Sequence, residues 1–114
     1  MASTLAEIST QYKHLKKVYD VGCGDGFRAS HFNRYNRELY LVDLQDCRLP
    51  QYKKFKYTQG DFFKVEHPKG FFDIILTVDL IEHLEQPEKF LKRIHKLLSK
   101  MASVCCPPQT ATGL

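Results

Sequence analysis

Three glycines and two acids lie at the end of the first apolar run of the chain. The stretch VYDVGCGDGF, residues 18–27, places Gly22, Gly24 and Gly26 on alternate positions, with Asp20 just ahead of them. Glycines after a strand let the backbone pass close to a ligand where a Cβ atom would clash. The free N–H groups of a following helix would then suit an anionic or polar partner. A tight loop without a ligand is the alternative for one such turn taken alone.

The spacing of the glycines bears on which cofactor such a turn would hold. Proteins that bind nicotinamide or flavin dinucleotides show Gly-x-Gly-x-x-Gly, whose third glycine lets the helix pack on the strand. This chain has Gly-x-Gly-x-Gly instead, and Asp20 would repel a pyrophosphate but suit an ammonium or sulfonium group. Asp43, at the end of the second apolar run, has the reach to accept hydrogen bonds from both hydroxyls of a ribose. The pattern therefore disfavours a nicotinamide-dependent (NAD-binding) protein, which stays the weaker alternative.

Apolar segments that alternate with helical patterns position these residues. Strands are predicted at 17–22, 38–43, 55–61 and 71–78, and helices at 3–15, 26–35 and 86–100. Alternating strands and helices predict an α/β fold, a doubly wound, Rossmann-like parallel sheet with right-handed crossovers. We expect the first strand at the centre, flanked by the second and fourth, with the third outermost. The clusters of glycine and acid all follow strands, and ligands bind beyond the carboxyl ends of such strands, so the clusters should form one site.

Four segments, together covering residues 17 to about 100, carry a family resemblance. The segments VYDVGCGDG, YLVDLQD, YTQGDFF and FDIILTVDLIEHLEQPEKFLKRIHKLL resemble the amino-terminal half of a class I S-adenosylmethionine-dependent methyltransferase of the small-molecule or quinone type. The resemblance implies S-adenosyl-L-methionine as the cofactor and a small-molecule methyl acceptor. In such a reaction the cofactor carries the reactivity and the protein aligns the two reactants, so we nominate no catalytic residue.

The resemblance also implies a set of cofactor-binding residues, all near the carboxyl ends of the predicted strands. The acid and glycine turn of the first strand would face the methionine part. The end of the second strand would hold the ribose hydroxyls and flank the adenine, and the end of the third would meet the adenine amino group and ring face. The end of the fourth would border the sulfonium. These residues are Asp20, Gly22, Cys23, Gly24, Gly26, Asp43, Leu44, Asp61, Phe62, Val78 and Asp79.

Side chains of the glycine turn and of the segment after the fourth strand could take part in other chemistry. Cys23 lies where the backbone matters more than the side chain, so we interpret it as a small filler and not a nucleophile. Asp79, Glu82 and His83 faintly resemble the metal ligands of methyltransferases that act on the 2′-hydroxyl at small-RNA ends. Those enzymes carry Glu at the position of Asp79 and need a further His, so we predict no metal site. In the small-molecule enzymes, His83 would be a base, a pocket-lining residue or purely structural.

The composition excludes several broad classes of protein. The 114 residues are 43% hydrophobic with a net charge of +4, which suits one small globular domain. No apolar run approaches the roughly 18 residues of a membrane span. The four cysteines show no C-x-x-C spacing. The lysine clusters are typical of solvated surfaces, so we do not expect nucleic acid as a partner. The first residues lack a signal-peptide pattern, so we expect a cytoplasmic protein.

The last residues do not continue the pattern. We expect residues 1–100 to form a partial, cofactor-binding methyltransferase domain that is truncated after the fourth strand and its helix. The tail at 101–114, MASVCCPPQTATGL, is predicted to be non-native or disordered. Codons for Lys-Met-Ala, read one base out of register, encode Asn or Asp followed by Gly, which suits the end of a helix. One hypothesis is therefore a lost base in a longer gene; alternative splicing and a short paralogue are the others. A non-catalytic cofactor-binding fragment is the corresponding alternative function.

Overall fold

The structure, a computed structural model, describes residues 4–77 and 85–105, with side chains described as far as residue 99. Its strands are β1 (Lys17–Val21), β2 (Glu38–Asp43), β3 (Lys56–Gln59), β4 (Phe72–Thr77) and β5 (Leu98–Cys105). Its helices are α1 (Leu5–Gln11), α2 (Phe27–Ser30) and α3 (Pro87–Leu97), with a short 3-10 helix at Pro50–Tyr52. No helix within the described residues is long and apolar enough to cross a membrane.

The five strands form one parallel sheet in the order β3-β2-β1-β4-β5. In the register of the central pairs, Val18 lies beside Leu39 of β2 on one side and Ile74 of β4 on the other. The predicted α/β class is confirmed, as is the placement of β1 between β2 and β4 with β3 outermost. Because all these strands run in the same direction, their carboxyl ends meet at one edge of the sheet.

Each face of the sheet is covered, so the core has two halves. Successive side chains of a strand point to opposite faces. Val18 therefore packs with Phe32 on the side of α1 and α2, whereas its neighbour Tyr19 packs with residues of α3 on the other side. The second half contains the apolar stripe of α3, with Phe90 and Ile94 each 1% exposed. Burial on both faces explains why the strand sequences are nearly continuous apolar runs.

All three predicted helices are shorter in the structure, and the one predicted at 3–15 is α1, Leu5–Gln11. The helix predicted at 26–35 is a single turn, α2, which ends at Ser30. A right-handed helix could not reach residue 35 in any case, because Tyr35 and Asn36 both adopt a φ of 60°. One of these two residues is an asparagine, which tolerates the left-handed conformation. The helix predicted at 86–100 ends at Leu97, because Leu98 is extended, with ψ of 139°. The amino end of α2 is therefore too short to serve as the anion site that the sequence suggested.

Residues 98–105 differ from the expectation that the sheet ends after the fourth strand. They form β5 and pair with β4, so the predicted truncation of the sheet at that point is wrong. Parallel pairing uses backbone groups that any non-proline residue can supply, and the prolines at 107 and 108 come only after the strand. The pairing is irregular: Phe72 lies beside Leu98, but Ile74 lies beside Ser103. Residues 106–114 lie outside the described part of the chain.

Arg37 ties α1 to the rest of the domain. Its guanidinium donates to the Oγ and carbonyl oxygen of Ser9 at 2.6 and 2.7 Å. It also donates to the carbonyl oxygens of Tyr12 and Leu15, at 2.6 and 2.8 Å. Arg37 is 8% exposed, so these bonds replace the water that a charged side chain otherwise needs. The short helix is therefore held by a side chain that directly precedes β2.

Asp73 braces the opposite edge of the sheet from the glycine turn. It is the second residue of β4, at the amino end of the strand. Its Oδ2 atom accepts hydrogen bonds from the backbone amides of Lys16 and Lys17, both at 3.1 Å. Its Oδ1 atom accepts a bond from the Ser99 hydroxyl at 2.7 Å. The carboxylate thus joins the starts of β1, β4 and β5.

Candidate functional site

The turn after β1 depends on its three glycines. Gly22, Gly24 and Gly26 have φ values of 73°, 55° and 91°, a region that residues with a Cβ atom rarely adopt. The amides of Gly22 and Cys23 both donate to the carbonyl oxygen of Val42, at 2.9 and 3.2 Å. The turn is therefore strained for any other sequence and is bonded to the end of β2.

Two of these glycines have different surroundings. A Cβ atom built on Gly24 would meet no heavy atom within 4 Å, so that side of the turn faces open space. A Cβ atom on Gly26 would lie 3.0 Å from the Cβ of Tyr52, in the 3-10 helix. The amide of Leu49 also donates to the carbonyl oxygen of Asp25 at 2.9 Å. Gly26 is thus needed for internal packing, whereas Gly24 leaves room outside the fold.

Asp43 lies where three strand ends meet. Its Oδ2 atom accepts a hydrogen bond from the amide of Gly24 at 2.9 Å, and its Oδ1 atom accepts one from the amide of Leu44 at 2.7 Å. Its backbone carbonyl oxygen accepts bonds from the Gly60 amide at 2.8 Å and the Tyr57 hydroxyl at 3.3 Å. Each carboxylate oxygen has further lone-pair capacity, because an ionised carboxylate accepts about four hydrogen bonds. The side chain is oriented before any ligand arrives.

The segment after β3 brings an acid and two aromatic rings to the same edge. Asp61 accepts a hydrogen bond from the amide of Phe63 at its Oδ1 atom, 2.9 Å away, which fixes the turn. Phe62 is 7% exposed, and its ring centroid lies 5.1 Å from that of Phe90 and 5.9 Å from that of Tyr19. These contacts join the turn to α3 and to β1.

A cavity of about 310 Å³ opens between these elements. Its walls are mostly apolar, and they come from the carboxyl ends of β1 and β2, the turn after β3, and α3. The lining residues are Val21, Gly22, Val42, Asp43, Leu44, Gly60, Asp61, Phe62, Phe63 and Phe90. The volume is at the lower end of the roughly 300–1,000 Å³ that is typical of small-molecule sites. The cavity therefore suits an apolar group with a polar group beside the Asp43 carboxylate.

The sequence-predicted residues divide into three groups. Five of them line this cavity together: Gly22, Asp43, Leu44, Asp61 and Phe62. Four others belong to the first strand and its turn, outside the cavity lining: Asp20, Cys23, Gly24 and Gly26. Val78 and Asp79, together with the metal candidates Glu82 and His83, lie outside the described residues.

Asp20 has a cationic partner within the chain itself. The carboxyl group is fully buried, and its Oδ1 atom accepts hydrogen bonds from Nε and Nη2 of Arg28 at 3.0 and 2.6 Å. Its buried Oδ2 atom has no hydrogen-bond partner among the described residues. Burial raises the pKa of the Asp20 carboxyl, and the Arg28 guanidinium acts in the opposite direction. Arg28 thus occupies the position beside Asp20 that the sequence suggested for a cationic group of the ligand.

Cys23 is a buried thiol, not an exposed reactive one. The residue is 4% exposed, and its Sγ–H donates to the carbonyl oxygen of Gly24 at 3.8 Å. Burial raises the pKa of the thiol to about 12, and the carboxylates of Asp20 and Asp43 add to this shift. A thiol with such a pKa stays protonated and weakly nucleophilic near neutral pH. These surroundings suit a small filler.

Sequence reasoning missed several residues of this region, including Val21 and Val42 of the cavity lining. Phe63 and Phe90 line the cavity, and Arg28 pairs with Asp20. A signal for Arg28 was present, because a buried acid needs a partner and Arg28 is the first basic residue after the glycine turn. The sequence indicated Phe90 only as part of the apolar stripe of a helix. Whether such a residue lies near the carboxyl edge of the sheet depends on how the helix packs, which the stripe does not show.

A family model described as a methyltransferase domain matches residues 19–106, more than half of the chain. The chain belongs to the class I S-adenosylmethionine-dependent methyltransferases. An ajmaline N-methyltransferase from Rauvolfia serpentina is 25% identical to this methyltransferase chain over 103 residues, which is 81% of the chain and 35% of the relative. A mitochondrial ubiquinone biosynthesis O-methyltransferase from Schizosaccharomyces pombe is 28% identical over 87 residues, 67% of the chain and 31% of the relative.

Solved structures share the fold of this methyltransferase chain. A protein from Pyrococcus horikoshii OT3 superimposes with a TM-score of 0.74 at 22% identity, covering 90% of the chain and 54% of its own length. A 1,6-didemethyltoxoflavin-N1-methyltransferase from Burkholderia thailandensis has the same TM-score, 0.74, at 18% identity, covering 90% of the chain and 49% of its own. That structure holds 1,6-didemethyltoxoflavin and S-adenosylhomocysteine. The chain spans about a third of the length of the curated relatives it matches.

Proposed function

We propose that this chain binds S-adenosyl-L-methionine through the cavity at the carboxyl edge of the sheet. The observation that carries the proposal is the Asp43 carboxylate, which two backbone amides hold at the cavity wall with lone pairs left for a diol. The adenine would lie between Leu44 and the aromatic side chains, with its amino group towards Asp61. The methionine part would follow the glycine turn beside the open space at Gly24.

The proposed reaction is methyl transfer to a small-molecule acceptor. When bound, the cofactor supplies a methyl group on a sulfonium, and that group passes directly to a nucleophile. The task of the protein is to hold both reactants in line and to exclude water. The relatives named above are an N-methyltransferase and an O-methyltransferase by their names, which supports a small nitrogen or oxygen nucleophile as the acceptor class. We assign no catalytic residue.

A second candidate is a chain that binds the cofactor without transferring its methyl group. The matches cover only 35% and 31% of the two relatives, so they support cofactor binding by this region more directly than methyl transfer. A distant relationship to the 2′-O-methyltransferases of RNA ends is a weaker candidate that rests on Asp79, Glu82 and His83 in the sequence.

Calorimetric titration tests the binding proposal. We expect S-adenosylhomocysteine to bind and NAD not to bind, because the third glycine of the dinucleotide pattern is absent. If S-adenosylhomocysteine does not bind, or NAD binds as tightly, the proposal is wrong.

Methyl transfer from labelled S-adenosylmethionine separates the candidate activities. The acceptors would be a small-molecule extract and, in a parallel reaction, total RNA. Label in the small molecules supports the enzyme, label in RNA supports the RNA-end relationship, and binding without label in either supports the non-catalytic chain.

A further inference from the structure

Arg28 uses only one edge of its guanidinium inside the protein. Its Nε and Nη2 atoms donate to Oδ1 of Asp20, and Nη2 also donates to the carbonyl oxygen of Gly22 at 2.9 Å. Within the part of the chain that the structure describes, no hydrogen bond uses Nη1. The side chain is 17% exposed, so the guanidinium is not sealed in the core. Gly22 lines the cavity, so the Arg28 guanidinium is hydrogen-bonded to a residue of the cavity wall.

The ion pair is incomplete on both sides. Asp20 is fully buried, and its Oδ2 atom has no partner among the described residues. Buried polar atoms without partners are rare, and each one calls for an explanation. Among the described residues the Asp20–Arg28 pair thus leaves a buried acceptor atom and a partly exposed donor edge unused, and only the donor edge of Arg28 is exposed enough to meet a ligand group.

The carboxylates around the glycine turn indicate which group of a ligand would require a positive partner there. The carboxylates of Asp25 and Asp43 are close enough to Asp20 to raise its pKa, so the turn holds an excess of negative charge. That excess favours a cation and opposes a free carboxylate unless a positive group meets it.

The other arginine near the turn is already engaged. Arg48 donates through Nε and Nη2 to the Asp46 carboxylate at 2.8 and 2.9 Å. Its Nη1 atom donates to the carbonyl oxygens of Lys53 and Phe55, at 3.2 and 3.1 Å. Its guanidinium also lies 4.2 Å from the centroid of the Tyr57 ring. Four of the five N–H groups of Arg48 are therefore used within the described residues, whereas neither N–H group of Nη1 in Arg28 is.

We propose that Arg28 binds the α-carboxylate of the amino-acid end of the cofactor through its Nη1 edge, with Asp20 holding the guanidinium in place. The inference rests on the proposed function, since it assumes that S-adenosylmethionine follows the glycine turn. A planar guanidinium matches the geometry of a carboxylate, and hydrogen bonds between two charged groups are the stronger ones. Arg28 thereby makes the site selective for the whole cofactor over nucleosides that lack the carboxylate.

Two ligands that differ only in this carboxylate provide the test. S-adenosylhomocysteine carries it, whereas 5′-deoxy-5′-(3-aminopropylthio)adenosine keeps the adenosine, the thioether and the amine but lacks the carboxylate. Calorimetry would measure both affinities for the wild-type chain, for Asp20→Asn, and for the double variant Asp20→Asn/Arg28→Gln. The double variant removes both charges together, which avoids an unpaired carboxylate in the core. Arg34→Gln, an exposed arginine beyond α2, is the matched control.

We expect the wild-type chain and Arg34→Gln to prefer S-adenosylhomocysteine by about tenfold or more, as a charged hydrogen bond provides. Asp20→Asn should keep a preference of more than about threefold, because the amide oxygen of asparagine can still accept the hydrogen bonds that orient Arg28. In the double variant the preference should fall to within about threefold, while the aminopropyl nucleoside keeps its affinity. A purely structural role would weaken both ligands equally. A preference that persists in the double variant, or that is absent from a wild-type chain binding both ligands, overturns the role of Arg28. Binding of neither ligand to the wild type overturns the proposed function as well.

Discussion

Asp43 and Asp73 perform the same local task at opposite edges of one sheet. Each accepts hydrogen bonds from two backbone amides and joins the ends of neighbouring strands. Asp43 does so at the carboxyl edge, beside a cavity of about 310 Å³. Asp73 does so at the amino edge, where the Ser99 hydroxyl occupies its other oxygen at 2.7 Å.

The difference shows that a carboxylate is a candidate for ligand binding when part of its hydrogen-bonding capacity is unused and faces an open cavity. Both side chains are oriented by amides, but only Asp43 faces space that no described residue fills. In a parallel sheet the crossovers leave that space at the carboxyl edge, so position along the strand separates the two acids. The following variants test whether that separation holds.

Asp43→Ala should have the largest effect on binding. Two hydrogen bonds from ribose hydroxyls to a charged acceptor would be lost, each worth about 1.5–3 kcal/mol, so the affinity for S-adenosylhomocysteine should fall by roughly 100-fold or more. Asp73→Ala is the matched control and should leave the calorimetric affinity within about threefold. Equal losses in the two variants would mean that the acids are not distinguished by function.

Gly24→Ala and Gly26→Ala should separate binding from stability within one turn. A methyl group at Gly24 enters space that the proposed ligand would use, so the affinity should fall by about tenfold while the left-handed φ costs roughly 1–2 kcal/mol. A methyl group at Gly26 meets Tyr52 at 3.0 Å, so overpacking adds about 1–3 kcal/mol to that cost. Thermal unfolding and calorimetry on both variants would check this order. A Gly24→Ala protein with normal affinity would contradict the assigned ligand path.

Asp73→Asn should produce the smallest effect, confined to stability and dependent on pH. Burial opposes ionisation of Asp73, but the Ser99 hydroxyl and the amides of Lys17 and Lys16 lower the pKa of the carboxyl overall. A lowered folded-state pKa means that the stabilisation is present above the unfolded value of about 3.9 and is lost as the pH falls through the folded value. The carboxylate is partly exposed, so the difference at neutral pH should be about 1 kcal/mol or less. Urea unfolding at pH 7 and pH 3 should show it shrinking; a difference that is constant with pH would contradict the account.

Much of the architecture was predictable because it follows from repeated patterns. The predicted and observed bounds of β2 agree at 38–43, since an apolar run ends there in an acid. The meeting of the glycine turn with Asp43 and Asp61 followed from parallel strands sharing one edge. The existence of β5 was not predictable, because backbone pairing supplies its hydrogen bonds and the composition of 98–105 does not indicate a buried strand.

The contacts behind the site were the harder part to predict. The partner of Asp20 is Arg28, which lies in the single helical turn α2. The sequence pattern predicts a longer helix there, at 26–35. Phe90 reaches the cavity only because α3 packs across β1 and β4, and no spacing in the sequence shows that crossing. These features depend on distances between elements, whereas the sequence pattern describes each element by itself.

The guanidinium of Arg37 has a consequence for the order in which the domain folds. Helix α1 has seven residues, fewer than the roughly 12 that an isolated helix needs to persist in water. The carbonyl oxygens that Arg37 binds belong to residues 22 to 28 positions earlier in the chain. A contact across such a separation forms only after the intervening segment is closed into a loop. The amino-terminal helix is therefore expected to join the domain late, after β1 and β2 have paired, and to be the first element released on unfolding.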